Sequence, residues 1–474
     1  MINGSIGVIF VGGDSWWEAG FFSARTGPYK DFANTIRTSR DQIVEKLTEI
    51  QDVEFYFSDI IHTNSQIDEW IDRGPQGSID GLIICPLLWT NDPLILHLLS
   101  YFEKVPLMVW SYAPTDEFPK YFNVPRFVES TGSVSAQQIT AILKNRGLFF
   151  SVVHGSFDNP SVSRKITAFA RASRTKVRLR RTRIAVVPAP CRIVVSTWYD
   201  ESFLSEYFGI ELVYISVKEL SEIIEAVPES AAQDYLDYLK SIARSYAIDS
   251  EQQAMQSAKQ ALGLVELAKK YGLSGIALDD FNEDIYSTLR FRPHLYHHGL
   301  SDNRCTIGFE ADVHNVLSTI ILSSLGSKMA MFNELLCVDT VNNQFLMGHP
   351  GHGEADLADP ETYEVTPDLE FDKEVPRGLW LSYRALRGKM TFLNFTYLGG
   401  KLESAVFKGT SLPGKRVLEG YTHMVIRPDT ESSLLFEKIL EMGLIQHWAT
   451  ALDDLEEEIR EFSGMIGMVP NFLE

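Results

Sequence analysis

Short, continuous apolar runs separated by amphipathic segments constrain the fold of this chain more than any other feature. In the first third these runs are SIGVIFVGG, VEFYFS, GLIICPL and PLMVWS, which start at Ser5, Val53, Gly81 and Pro106. Each run is four to eight residues or slightly longer and ends at Gly, Ser, Asp or Pro, which is typical of strands buried on both faces. The pattern predicts a doubly wound parallel sheet, an α/β domain, over residues 1–158.

The same pattern is repeated and then replaced by a different one. RIAVVP, ELVYISV and GIALDD predict the strands of a second α/β domain over residues 159–332. From residue 333, alternating segments such as KMTFLNFTYLGG and KLESAVFKG predict antiparallel strands joined by Gly turns. We therefore expect a β-rich, barrel-like carboxyl-terminal domain with terminal helices over residues 333–474.

Composition excludes several classes of protein. No run reaches the roughly 18 apolar residues of a membrane span, and the net charge of −20 disfavours nucleic acid or an anionic membrane as a partner. One basic run, Arg171–Arg183, is interpreted as a solvated helix end and connector. The four cysteines form no CxxC pair, which favours a reducing, cytoplasmic location.

Polar residues that could hold a metal are concentrated in Ile307–Asp356. Glu310 follows the apolar run IGF and precedes a long amphipathic helix, and Glu334 follows KMAMFN, where an apolar strand is expected to enter a polar turn. His349 and His352 lie in the loop GHPGHGEAD, whose Gly and Pro residues allow close approach to a ligand. Carboxylate and imidazole ligands together favour Mn²⁺, Mg²⁺ or Co²⁺ over a metal that prefers thiolates.

Other candidates have an ordinary structural interpretation beside the functional one. Trp16 and Trp17, in the loop after the first strand, could stack on a sugar face or cap the domain core. His423 lies in a β-patterned segment, where a histidine is more often a core residue with satisfied hydrogen bonds. The loop that carries His294 is interpreted as a surface loop, because it supplies no carboxylate in matching register.

A divalent metal beside two carboxylates can hold adjacent sugar oxygens while a proton moves between neighbouring carbons. This chemistry is that of an aldose–ketose isomerase working through an enediol. A non-catalytic carbohydrate-binding protein is the alternative, because two α/β domains around a cleft also bind sugars without reaction. An NAD-dependent enzyme is disfavoured, because neither strand-to-helix turn carries the GxGxxG fingerprint.

The order of parts and five motifs resemble the L-arabinose isomerase and L-fucose isomerase superfamily, of which the chain looks like a divergent member. The motifs are GFEAD with Glu310, MFNE with Glu334, FLMGH with His349, GYTHMV with His423 and LIQHWATALDD with His447. The resemblance implies a Mn²⁺-dependent isomerase of a pentose, deoxyhexose or related free sugar. In it Glu310 and Glu334 would bind the metal and exchange the proton, and His349 and His423 would complete the ligand set.

The resemblance also implies an assembly. The site would be completed by the first domain of a neighbouring subunit in a hexamer or another trimer-based homo-oligomer, with Trp16 and Trp17 reaching across to the sugar. His352 and His447 are then expected to contact the substrate. The third ligand could be His349 or His352, and His349 is preferred because the run FLM leads into it.

Overall fold

The structure, a computed structural model, describes residues 5–13, 32–50, 53–74, 79–118, 120–351, 353, 357–369, 376–398 and 400–474. The chain divides into two compact units. The first takes Met1–Val177 and Glu457–Met468, and the second takes Arg178–Glu456 and Val469–Glu474. The boundaries of three domains, after residues 158 and 332, stay predictions.

A five-stranded parallel sheet forms the centre of the first unit, in the strand order β2-β1-β3-β4-β5. Every residue of the first and third strands is buried, as expected of strands covered on both faces. The strands are β1 (Ser5–Val11), β2 (Glu54–Ile61), β3 (Gly81–Pro86), β4 (Leu107–Tyr112) and β5 (Ser151–Gly155). The described helices are α1 (Phe32–Thr48), α2 (Asn64–Asp72), α3 (Asp92–Phe102), α4 (Val124–Glu129), α5 (Gly132–Asn145), α6 (Pro160–Leu179) and, from near the end of the chain, α15 (Glu456–Met465).

The basic run Arg171–Arg183 is a helix end and connector, as its composition predicts, but its helical part is not fully solvated. Residues 171–179 form the end of α6, which packs against the acidic helix α15, while Arg180 and Arg181 in the connector are exposed. Arg171 Nη1 lies 3.3 Å from Glu458 Oε1, and the two side chains are only 17% and 9% exposed. Lys176 Nζ donates to the carbonyl of Met465 at 2.8 Å. The positive charge is thus partly neutralised inside the first unit by a segment some 280 residues later in the chain.

A four-stranded parallel sheet opens the second unit, in the order β10-β9-β6-β7. Its strands are β6 (Arg183–Val187), β7 (Glu211–Tyr214), β9 (Gly275–Leu278) and β10 (Thr306–Gly308). The helices of this unit are α7 (Glu201–Phe208), α8 (Val217–Glu225), α9 (Glu229–Ile242), α10 (Glu251–Tyr271), α11 (Glu283–Leu289), α12 (Gly299–Asp302), α13 (Val313–Leu325) and α14 (Ser432–Glu441). In the described part of the chain, no helix combines the length and the apolar character needed to cross a bilayer.

Six antiparallel strands follow and close on themselves, in the order β15-β18-β11-β12-β17-β16 and back to β15. They are β11 (Met331–Asp339), β12 (Gln344–His349), β15 (Gly388–Leu398), β16 (Lys401–Ser411), β17 (Thr422–Pro428) and β18 (His447–Ala451). A short strand, β19 (Asn471–Phe472), runs parallel to β16. A separate small sheet joins β8 (Ser245–Tyr246), β13 (Glu364–Pro367) and β14 (Leu379–Ser382). The predicted fold class, parallel α/β sheets followed by a barrel-like β-rich part with terminal helices, is confirmed.

Helix α13 occupies the centre of the second unit. All 13 of its residues are buried, so it is not the amphipathic helix that its sequence predicts. The reason is that it packs against both the parallel sheet and the closed sheet, through β9 and β10 on one side and β15 and β18 on the other. Gly275 and Gly308 allow this approach, because a Cβ on either residue would lie within 2.6 Å of Val316. The same close packing fixes the turn that precedes the helix.

Candidate metal centre

Glu310 lies in the turn that leads from β10 into α13. Glu310 and Ala311 both have left-handed backbone angles, with φ of 54° and 49°. Residues other than glycine rarely adopt such angles, and those that do are concentrated at functional sites where the surroundings impose them. The turn therefore holds a buried carboxylate at the carboxyl end of a parallel strand, the edge at which α/β folds bind ligands.

The sequence context of Glu334 predicts that it lies in a polar turn. In the structure it lies inside β11 instead. It pairs with Gly348 of β12 on one side and with His447 of β18 on the other. The strand continues through Glu334 because both neighbours belong to the closed sheet. Directly paired residues of antiparallel strands present their side chains on the same face. The carboxylate of Glu334 and the imidazole of His447 are therefore brought together.

His349 and His447 each use one ring nitrogen for a hydrogen bond and leave the other available. Nδ1 of His349 donates to the carbonyl of Pro350 at 2.7 Å, and Nδ1 of His447 donates to Asp312 Oδ2 at 2.8 Å. Metal-binding histidines in proteins are usually oriented by such bonds, to a carbonyl or a carboxylate. Asp312 is itself fixed, because its other oxygen accepts the Asn315 N–H at the start of α13.

Glu310, Glu334, His349 and His447 form one group. Each offers one ligand atom, and all four atoms lie within 4.8 Å of one another. Ligand atoms on opposite sides of a divalent ion are about 4.2 to 4.4 Å apart, so only a small adjustment would close the group on an ion. Two carboxylates and two imidazoles are a donor set that Mn²⁺ and related ions accept.

The strongest sign that the group fits a cation is Nε2 of His447. It is buried and has no hydrogen-bond partner among the described residues, which is costly for a polar atom. Its neighbours are Glu310 Oε2 at 3.5 Å and Glu334 Oε1 at 3.6 Å, distances too long for a good hydrogen bond. A metal ion between these atoms would satisfy all three.

Burial and mutual charge displace the pKa values of the group in opposite directions. Burial raises the pKa of Glu310 to about 7; the positive charge of His447 opposes this shift, and the negative charge of Glu334 adds to it. For Glu334 burial also acts upward, but the contact and charge of His447 and the charge of His349 outweigh it, so its pKa is lowered. Burial lowers the pKa of His349 to about 4.

His447 has the largest displacement in the group. Burial disfavours its charged form, but the hydrogen bond to Asp312, the contact with Glu334 and the nearby carboxylate charges outweigh burial and raise its pKa to about 10. Without a metal the imidazole is therefore protonated at neutral pH. A cation that binds at Nε2 would replace that proton with its own positive charge.

His423, expected to be the fourth ligand, is not in the group. Its Nδ1 donates to the carbonyl of Tyr421 at 2.8 Å, and its Nε2 accepts the Val417 N–H at 3.2 Å. Both ring nitrogens are thus used by the backbone, which is the ordinary structural role. The structure places His447, expected to contact substrate, in the position assigned to His423.

The remaining expected substrate contacts, Trp16, Trp17 and His352, lie outside the described residues. Of the two histidines considered as third ligand, His349 belongs to the group, and His352 lies outside the described residues. Gln446, beside His447, donates from Nε2 to Glu310 Oε2 at 3.1 Å.

A second set of buried charges was missed because the loop that carries His294 was interpreted as a surface loop. His294 is in fact 1% exposed, and its Nε2 donates to Asp280 Oδ2 at 3.1 Å. Arg292 Nη2 donates to both carboxylate oxygens of Asp368 at 3.1 Å. The alternation of polar and apolar residues in RFRPHLY was a usable signal, because Phe291, Leu295 and Tyr296 are buried with the charged residues.

Comparison with known proteins adds no identification. No model of a known protein family matches the chain, and no curated protein matches it. The resemblance to the arabinose and fucose isomerases therefore rests on the five motifs and on the order of the parts.

Proposed function

We propose that this protein is a metal-dependent aldose–ketose isomerase that acts on a free sugar such as a pentose or deoxyhexose. The observation that carries the proposal is the group of Glu310, Glu334, His349 and His447, in which the buried His447 Nε2 has no hydrogen-bond partner among the described residues and faces both carboxylates. Mn²⁺ is the proposed metal, with Mg²⁺ or Co²⁺ as chemical substitutes. The four side chains would hold it directly, and Asp312 would orient His447.

The bound ion would polarise the sugar carbonyl and hold two adjacent oxygens. Glu310 and Glu334 would perform the proton chemistry. One carboxylate removes the proton from C2 of the aldose, giving an enediol, and a carboxylic acid returns a proton to C1. The hydroxyl proton moves from O2 to O1 in the same sequence, so that the aldose and the ketose have the same composition. Burial of Glu310 would limit the access of water to the enediol.

Two further parts belong to this proposal. The chain would act as a homo-oligomer, hexameric or otherwise trimer-based, in which a neighbouring subunit completes the sugar site. It would work in the cytoplasm, where its four unpaired cysteines remain reduced.

The test begins with metal content. Protein purified without chelator is expected to hold about one divalent ion per chain, and to interconvert at least one aldose and ketose of a broad panel when Mn²⁺ is supplied. The double variant Glu310→Gln with Glu334→Gln is expected to lose both the ion and the activity. His423→Gln is the matched control, since it changes a buried histidine outside the group.

Absence of a bound ion in the wild type, or a wild type that converts no sugar of the panel, would overturn the proposal. A double variant that loses the ion but binds sugars as the wild type does would favour a non-catalytic carbohydrate-binding protein.

A further inference from the structure

Asp280 connects the candidate metal centre with the second set of buried charges. It follows β9, and its Oδ1 accepts the backbone N–H of Glu310 at 3.1 Å. Its Oδ2 accepts from His294 Nε2 at 3.1 Å and lies 3.8 Å from Arg292 Nη1. One carboxylate therefore contacts the backbone of a metal-group residue on one side and the side chains of His294 and Arg292 on the other.

The side chains of Arg292 and His294 are themselves held in place by Asp368. Arg292 Nη2 lies 3.1 Å from Asp368 Oδ1, and His294 Nδ1 lies 3.4 Å from Asp368 Oδ2. All four side chains are at most 8% exposed. Two carboxylates thus face one guanidinium and one imidazole in a nearly water-free environment, where electrostatic interactions between them are stronger than in water.

The backbone that Asp280 contacts is the left-handed turn of Glu310 and Ala311. Two other contacts reach the turn. Thr197 Oγ1 lies 3.1 Å from the Glu310 carbonyl oxygen and 2.8 Å from that of Val194, so its single hydrogen is shared between them, and the Ala311 N–H donates to the carbonyl of Leu278 at 3.0 Å. A turn with two left-handed residues other than glycine is unfavourable by itself and persists only when its surroundings hold it. The bond from the Glu310 amide is the one nearest to the carboxylate that the turn presents.

We propose that Asp280 is a positioning residue, which fixes the Glu310 turn and so holds the Glu310 carboxylate at the spacing that the metal group requires. The inference rests on the proposed function, because it concerns the same site. His294 and Arg292 contact the other oxygen of Asp280, so that its carboxylate is held from the side opposite the Glu310 amide. Positioning of this kind typically changes metal affinity by about 10 to 100-fold when it is removed.

Two variants separate the geometry of Asp280 from its charge. Asp280→Asn keeps an oxygen within reach of the Glu310 amide and removes the charge. Asp280→Glu keeps the charge and, being one methylene longer, displaces the oxygen. Asp279→Asn is the control, because Asp279 is a buried neighbour whose carboxylate contacts Asn282 and not Glu310.

The measurement is Mn²⁺ binding to the full chain, followed by the electron paramagnetic resonance signal of the free ion. Thermal unfolding of each variant in chelator reports folding independently of the metal. Positioning predicts that Asp280→Glu binds Mn²⁺ at least about tenfold more weakly than the wild type, while Asp280→Asn and Asp279→Asn stay within about fivefold. If Asp280 only stabilised the fold, the Mn²⁺ affinities of the variants would decrease in the same order as their unfolding temperatures.

The inference is overturned if Asp280→Glu binds as the wild type does, or if Asp280→Asn is as impaired as Asp280→Glu. These outcomes leave the proposed function in place, because the wild type still binds Mn²⁺. A wild type that binds no Mn²⁺ overturns the proposed function and the positioning role together.

Discussion

Glu310 and Glu334 reach one site from two different kinds of backbone. The turn side, Phe309–Asp312, has two left-handed residues and is held by the side chains of Asp280 and Thr197. The strand side consists of β11, β12 and β18, whose backbone is held by regular antiparallel pairing. Strand pairing places the backbone of Glu334 and His447, and Asp312 orients only the His447 ring, whereas the turn needs a polar network to place Glu310.

The two sides also differ in electrostatics. The carboxyl group on the turn side has its pKa raised to about 7 by burial, whereas the contact with His447 and the surrounding charges lower the pKa of the strand-side carboxyl. Pairs of carboxyl groups whose pKa values are driven apart are typical of acid and base roles. In the metal-free protein the Glu310 carboxyl therefore changes its protonation state near neutral pH, whereas the Glu334 carboxyl stays ionised.

The largest expected effect tests this electrostatic difference. His447 and Glu310, with pKa values of about 10 and 7, must each lose a proton before they bind a metal, so binding releases protons and affinity rises with pH. We expect the dissociation constant for Mn²⁺ to fall by about 10³-fold from pH 6 to pH 8, as measured by titration at each pH. Glu310→Gln should make the dependence shallower below pH 7. A Mn²⁺ affinity that does not change with pH would contradict the raised pKa values of His447 and Glu310.

The second effect concerns two buried histidines of the closed sheet, His447 on β18 and His423 on β17. His447→Asn removes the atom that faces both glutamates and should weaken Mn²⁺ binding by at least about 100-fold. His423→Asn breaks the hydrogen bond from Val417 instead, and should lower the unfolding free energy by about 1 to 2 kcal/mol while affinity stays within about threefold. Urea unfolding in chelator and Mn²⁺ titration measure the two quantities. Equal affinities of the two variants would show that His447 is not a ligand.

A third effect, of opposite sign, concerns the helix that follows the turn side. His314, in the first turn of α13, is buried, and neither ring nitrogen has a partner among the described residues. His314→Leu should raise the unfolding free energy by about 1 to 2 kcal/mol, because it removes two buried polar atoms without hydrogen bonds. Mn²⁺ affinity should not change. A clear loss of stability on chemical denaturation would mean that the imidazole is satisfied in solution.

The smallest effect tests the other contact that holds the turn. In Thr197→Val, valine has almost the same shape as threonine but has no hydroxyl to donate to the Glu310 carbonyl. We expect it to lower the unfolding free energy of the metal-free protein by about 1 kcal/mol. Ser205→Ala is a suitable control for the loss of a hydroxyl, because Ser205 is an exposed residue of helix α7. If Thr197→Val is as stable as that control, the turn is held without Thr197.

Periodicity was enough to predict the fold class, because continuous and alternating apolar runs reflect how many faces of a strand are buried. It was not enough for α13, since a helix between two sheets loses the polar face on which the amphipathic prediction depends. Glu310, Glu334 and His349 were found because each lies next to an apolar run in one short stretch of the chain.

His447 and Asp280 show what sequence spacing cannot supply. Both His423 and His447 lie on strands of the closed sheet, and only the pairing of Glu334 with His447 shows which imidazole faces the carboxylates. The buried role of His294 depends on Asp280 and Asp368, which lie 14 and 74 positions away along the chain. No local pattern pairs charges at such separations.

The packing of α15 against α6 has a consequence for synthesis. The first unit needs Glu457–Met468, yet these residues are separated from Val177 by the whole of residues 178–456. At about 5 to 20 residues per second, the ribosome adds that intervening segment in roughly 15 to 60 s. During this interval the nascent amino-terminal unit lacks Glu458, so Arg171 has no carboxylate to pair with there, and the face of α6 that α15 will cover is open to chaperones or to premature association.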